Sequence, residues 1–237
     1  MSGVPERASS TEVPRLSAAV REDLAHMARL KGARFPSIGG AVDILSLPGT
    51  WAVLLYRLAS AAHHKGIRPV SRLISFANYV LFGVEIQTGA IIQPGLVVPH
   101  PVGVGIASGT RIGKRSMVLK GVSIGGSGTP RRPGHAVIGD DVVLMDSAKV
   151  FGPIHIGDRC IVGAGAVVDE DLASDMVVIP RREQEVKPLE VVGLGGHAEA
   201  RATDGVSTRQ TETAHTATPR SGCAECEGRV MRYSCGY

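Results

Sequence analysis

Along the middle of the chain an aliphatic residue recurs at every sixth position. The series runs Val84, Ala90 and Leu96, then Ile106, Ile112, Val118 and Ile124, then Ile138, Leu144, Val150, Ile156, Val162 and Val168. Four residues after many of these stands a small or β-branched side chain: Thr110, Ser116, Val122, Val142, Ala148, Cys160 and Ala166. A period of six matches neither the 3.6 of an α-helix nor the two of a plain strand. It predicts a triangular coil with one short strand and one corner per hexad, the aliphatic residue pointing into a narrow prism. Three hexads make a turn, so about 18 residues climb one strand spacing of ~4.8 Å.

Upstream the pattern changes. WAVLLYRLASAAHHKG and PVSRLISFANYVLF place apolar residues at helical spacing, following Pro48-Gly49. Downstream, from about Gly193, the chain is rich in Thr, Ala, Gly, Arg and Glu with few aliphatics, which predicts disorder. The expected organisation is a flexible N-terminus over 1–17, a helical region over 18–83, the coil over 84–187 and a disordered tail over 188–237. The predicted fold is mainly β, a left-handed parallel β-helix, whose hand is an exception to the right-handed crossover rule.

Two steps in the series are not six. From Leu96 to Ile106 the count is ten, with VPHPVG in the excess; from Ile124 to Ile138 it is fourteen, with GGSGTPRRPGHAV in the excess. A stacked core cannot hold extra residues, so both insertions must leave at corners as loops. Each contains one histidine, His100 and His135. The first loop leaves where coil one closes above residues 84 to 88, which puts Glu85 beside His100. A carboxylate next to an imidazole fixes its tautomer and stabilises its cation. The second loop leaves a different corner, a face of roughly 20 Å away at strand rise, so a site using both histidines is easiest to build between neighbouring chains. His155 lies in a regular hexad as a surface strand residue, and His63-His64 close a helix, where a cation suits the dipole.

Composition narrows the field. Four Phe, four Tyr and one Trp beside 30 Gly argue for short, aliphatic, Gly-turned segments. A net charge of +4 with no basic block interleaved with aromatics argues against a nucleic-acid partner. The first residues lack the apolar run of a signal peptide, and Trp51 to Ala62 carries Arg57 and is too short to span a bilayer. These features predict a cytoplasmic protein with no membrane partner. Cys160 reads as a small packing residue in the coil; Cys223, Cys226 and Cys235 read as incidental tail cysteines rather than a disulfide or zinc framework.

VEIQTGAIIQPGLVVPHPVGVGIASGTRIG, VLKGVSIGG and GDRCIVGAGAVV, ending in VIPRRE, resemble the hexapeptide-repeat acyltransferases, and among them most the serine acetyltransferases. The resemblance covers roughly residues 45 to 187. It places His100 on the catalytic histidine, Glu85 on its carboxylate partner (usually Asp), and His135 on the second active-site histidine. It implies a small-molecule acceptor, acetyl-CoA as co-substrate, no metal, and a homotrimer that in some members pairs into a hexamer. The coenzyme would lie between adjacent β-helices, along Gly125, Gly126, Asp146, Ser147, Ala148 and Gly165. Two substrate-binding positions depart from the pattern: Pro99 stands for an Asp, and Gly134 for an Arg that suits a substrate carboxylate, with Arg131 and Arg132 nearby. Met145-Asp146-Ser147 replaces Gly-Ala-Gly.

The residue types fit acetyl transfer, because a hydroxyl is a poor nucleophile until a base such as neutral imidazole removes its proton. Three readings compete with serine as acceptor: O- or N-acetylation of another small metabolite, a silent β-helix scaffold, and a γ-carbonic-anhydrase-like zinc enzyme. The last needs a third histidine, and only His155 is available.

Overall fold

The structure, a computed structural model, describes residues 12–33, 37–126 and 133–180. Arg131, Arg132, residues 1–11 of the expected N-terminal segment and the whole expected tail with its three cysteines lie outside them. Four helices come first: α1 (Leu16–Lys31), α2 (Ile38–Leu45), α3 (Pro48–His64) and α4 (Arg68–Phe82). Pro48 and Gly49 open α3 instead of preceding it. Proline is tolerated there because its missing N–H would have had no partner in the first turn. Gly32 and Gly83 end α1 and α4 with φ of 66° and 63°, a left-handed stop that glycine adopts without penalty. Among the described residues no single helix is long and apolar enough to cross a membrane; α2 and α3 reach that length only together, with a bend of 84°.

Among the described residues thirteen short strands follow, every pairing parallel, in three sheets. The first sheet stacks β1 (Glu85–Ile86), β3 (Gly105–Ile106), β6 (Ser123–Gly125), β9 (Lys149–Phe151) and β12 (Val167–Val168). The second stacks β2 (Ile91–Ile92), β4 (Arg111–Ile112), β7 (Val137–Ile138) and β10 (His155–Ile156). The third stacks β5 (Met117–Val118), β8 (Val143–Leu144), β11 (Ile161–Val162) and β13 (Val177–Val178). The chain visits the sheets in turn, which makes a three-sided coil. All thirteen aliphatic positions of the sixfold series are buried, and so are Thr110, Ser116, Val122, Val142, Ala148, Cys160 and Ala166.

The phase of the first coil differs from expectation. Ile106 pairs with Ile86 and Ile112 with Ile92, while Val97 bridges Met117. The rung residues of coil one are therefore Ile86, Ile92 and Val98, not Val84, Ala90 and Leu96, which take the small-residue positions two places earlier. The first insertion is consequently two residues, since Val98 to Ile106 is eight. Both phases bury aliphatic side chains, so burial alone does not separate them.

A buried ion pair ties the helices to this first coil. Arg57 of α3 donates from Nε and a terminal nitrogen to both oxygens of Asp23 of α1, at 2.8 and 3.0 Å. It also donates to the carbonyls of Ile92 and Gln93, at 2.6 and 2.9 Å. Asp23 Oδ1 in turn accepts the backbone N–H groups of Gly95 and Leu96. Both side chains are only 4% exposed. Burying two charges is costly, and the cost is offset here because nearly every donor and lone pair has a partner. Tyr56, next along α3, donates its hydroxyl to Ala90 O.

Removing one partner strands the other charge. Asp23→Ala is expected to cost about 3–5 kcal/mol of stability, read by chemical denaturation; a loss below about 1 kcal/mol would show that the pair is not holding the helices.

Acid should loosen the same region. His26 of α1 bonds through Nδ1 to Gly95 O at 2.6 Å. Burial holds its pKa below the ordinary value, outweighing the carbonyl contact that raises it. The unfolded imidazole thus protonates first as pH falls below about 6.5, and stability declines from there down to the lower folded value. Unfolding free energies between about pH 5 and 7 should fall more steeply for the native chain than for His26→Gln; equal slopes would remove His26 from the effect.

Candidate active site

The first insertion leaves at the corner between the third and first sheets. Its residues Pro99, His100 and Pro101 are confined by chemistry, since each proline fixes its own φ and Pro101 also keeps His100 extended. Two helix ends support the loop. A Cβ added to Gly49 would lie 1.7 Å from Val98 O and 3.2 Å from Pro99 O, so only glycine lets α3 start there. A Cβ on Gly83 would rest 3.7 Å from Val102, and Gly103 N donates to Gly83 O. His100 is half-buried on this support.

His135 follows the second insertion, at the corner between the first and second sheets. Its ring lies over Gly109, one rung below: a Cβ there would sit 2.6 Å from Nδ1 and 3.0 Å from Cε1. Gly109 has φ of 88°, so backbone and ring both demand glycine. On the other side, a Cβ on Gly126 would come 3.7 Å from Nε2. The imidazole is exposed in the single chain.

The two histidines therefore border one face, the outer surface of the first sheet, at its opposite edges. Along one outward column of that face Glu85 is followed by Gly105, Ser123 and Lys149. Beside it Gly125 stands below Phe151, and Gln87 and Ala107 occupy the corresponding places on the two lower rungs. Small side chains thus leave a trench above an exposed carboxylate; nothing lies within 4 Å of a Cβ on Gly105. Glu85 sits one rung below Gly105, on the strand over which the His100 loop returns.

The residues expected along the coenzyme divide between the same two corners. Gly126 is beside His135, and Gly125 precedes it at the end of β6. Asp146, Ser147 and Gly165 belong to the corner of His100, where Gly103, Gly121, Ser147 and Gly165 all have positive φ. Lys120 Nζ lies 3.7 Å from Asp146 Oδ2, and Asp146 Oδ1 is buried without a hydrogen-bond partner. Ala148 points into the prism and is fully buried.

Of the two departing positions, Pro99 is half-buried on Gly49. Gly134 has φ of 129°, and a Cβ there would lie 2.9 Å from Pro153 Cβ, so this backbone does not accept an arginine unchanged. His155 is exposed on the second sheet, in register with Val137, which lies two residues past His135 on the adjacent rung. Among the described residues no three His, Cys, Asp or Glu side chains gather as a metal site requires. Sequence reasoning missed Gly49, Gly109, Gln87 and Ser108. Gly109 repeats the corner spacing of Gly89 and so could have been found; the others act through contacts that no spacing announces.

Residues 135–170 match the family model described as bacterial transferase hexapeptide (six repeats). The chain is 36% identical over 143 residues to a serine acetyltransferase of Helicobacter pylori, covering 60% of this chain and 84% of that protein. The chain belongs to the serine acetyltransferase family. A Mycobacterium tuberculosis relative named serine acetyltransferase is 34% identical over 147 residues, 62% of this chain and 64% of its own length. Among solved structures, the Neisseria gonorrhoeae serine acetyltransferase in complex with serine superposes with a TM-score of 0.61 at 26% identity, covering 72% of this chain and 68% of that one. Within this family the two corner histidines sit on a coil of the family's own architecture.

Gly109→Ala should push the His135 ring away and add about 1–2 kcal/mol of left-handed strain. Gly32→Ala, also at positive φ but with open space around its Cβ, serves as the control for strain alone. Acetyl transfer should fall by up to about 10²-fold in Gly109→Ala and stay unchanged in Gly32→Ala. Equal activity in the two variants would show that the ring's position does not matter.

Proposed function

We propose that this chain transfers the acetyl group of acetyl-CoA to the hydroxyl of serine or a closely related small amino or hydroxy acid, without a metal. The observation that carries this reading is the pair of histidines on two corner insertions bordering one trench, in a chain of the serine acetyltransferase family. His100 is the general base. It accepts the hydroxyl proton as the oxygen attacks the thioester carbonyl, and returns that proton to the thiolate that leaves. Glu85 holds the imidazole's tautomer and stabilises its cation. His135 positions the acceptor and stabilises charge growing on the carbonyl oxygen. Acetyl-CoA supplies the thioester; Gly125, Gly126, Asp146, Ser147 and Gly165 line its path, with the backbone at Ala148.

The coil is left-handed in this reading, and the working unit is a cytoplasmic homotrimer. Opposite edges of a sheet separate the histidines within a chain, so the loop of one chain faces the second loop of its neighbour, giving three equivalent sites. Residues 84–187 form the transferase domain and 18–83 its helical base.

His100→Ala should lower acetyl transfer by about 10²–10⁴-fold, followed as thiol release, with folding intact. Mixing His100→Ala with His135→Ala after mild dissociation should restore part of the activity, because some interfaces then carry both native loops. Verified mixed trimers as inactive as their parents would exclude the shared site.

A further inference from the structure

Helix α4 turns its polar side chains inward and its apolar ones outward. Ser71 and Asn78 are buried against α3, where Ser71 donates its hydroxyl to Ala59 O at 2.9 Å and Asn78 donates from Nδ2 to Ala52 O at 3.0 Å. Ser75 lines, with His63 and Glu85, a cavity of about 310 Å³ between α3, α4 and the first strand of the coil. With the polar residues used on that side, the apolar ones are left outside. Leu73 is 68% exposed, Phe76 64% and Val80 63%. Spaced by three and four, they form one stripe along the helix. Val70 and Leu81 widen it.

The charge along this hairpin has one sign. Between Asp43 and Glu85 the chain has no Asp or Glu. Arg57 is buried in its pair with Asp23, which leaves Lys65, Arg68 and Arg72, all exposed. Arg68 and Arg72 precede Phe76 and Val80 in steps of four, so cations and apolar residues share one ridge. Tyr79, seven residues after Arg72, is exposed on the same flank. A monomer rarely leaves a contiguous apolar stripe of this kind uncovered. A second copy laid against it would bring three cations from each chain to one contact, with no carboxylate from either hairpin to offset them. The charge therefore calls for a covering surface that is anionic as well as apolar.

We infer that α4 lies on an anionic lipid surface, with Leu73, Phe76 and Val80 in the acyl boundary and Lys65, Arg68 and Arg72 against the headgroup phosphates. Lying on a bilayer takes one amphipathic face and a cationic flank, not a spanning segment. It is therefore compatible with the lack, among the described residues, of a single helix long and apolar enough to cross. An arginine meets a phosphate with paired N–H donors, and a tyrosine at headgroup depth keeps its ring apolar and its hydroxyl wet. The sequence predicts no membrane partner because it has no spanning run; the folded hairpin adds a surface that such a run would not reveal.

The test is co-sedimentation of the full chain with two kinds of vesicle, phosphatidylcholine alone and phosphatidylcholine with an equal part of phosphatidylglycerol. The chain should bind the anionic vesicles and be released at about 0.5 M salt, where screening is strong. Phe76→Ser should weaken binding by about tenfold or more, the worth of withdrawing one phenyl ring. Arg68→Gln and Arg72→Gln should each weaken it by about fivefold. Ile179→Ser, at an exposed position beyond β13, should change nothing. All four positions are exposed, so the variants should fold, which thermal melting checks. No binding to anionic vesicles overturns the inference, as does equal binding to both kinds or unchanged binding in Phe76→Ser. A native chain that ignores vesicles, but whose assembly loses mass in Phe76→Ser by analytical ultracentrifugation, assigns the stripe to a second copy and overturns it too.

Discussion

The interior of a three-sided coil is so narrow that each hexad can deliver only one aliphatic and one small side chain to it. The arrangement of the coil follows from that limit. Residues beyond the six must leave at a corner, and residues on the flats must face outward. Polar chemistry is therefore displaced to corners and outer faces, where His100, His135 and Glu85 are found. The same limit makes the inner surface uninformative about function, since Ile106, Ile112, Val118 and their counterparts on the other rungs do one job repeatedly.

Support for the two loops comes from residues with little or no side chain. Glycine at 49 lets a helix start against the carbonyl of Val98, and glycine at 109 provides a seat for an imidazole. Prolines on both sides of His100 remove the freedom that a two-residue excursion would otherwise have. Glycine at 134 is likewise built into the backbone. With φ of 129° and Pro153 in the way, the position has settled into a conformation that a larger side chain would strain.

The sixfold period and the corners of both loops were legible because each follows from counting. The phase of the first coil was not. Val84 with Ile86, Ala90 with Ile92, and Leu96 with Val98 are all apolar, so hydrophobicity alone permits either choice. The trench was hidden for the opposite reason: Gly105, Ala107, Ser123 and Gly125 are common residues whose meaning comes from stacking on one face. The link between Asp23 and Arg57 spans 34 residues and depends on how helices pack, which no local pattern encodes. His63 read as a helix-ending cation, and α3 does end at His64, yet its ring also lines the cavity beside Glu85.

A ladder of identical rungs has no intrinsic zero. Each parallel strand copies its alignment from the one beneath, so an error at the base would be inherited by every later turn. At the base of this coil the apolar pattern tolerates a slip of two residues. The base is also where the Asp23–Arg57 pair takes hold of the backbone at Ile92, Gln93, Gly95 and Leu96. Those contacts are to main-chain groups, so they recognise position rather than side chain. The ion pair acts as the datum from which the coil is counted, and the spacing of both histidine corners is measured from it.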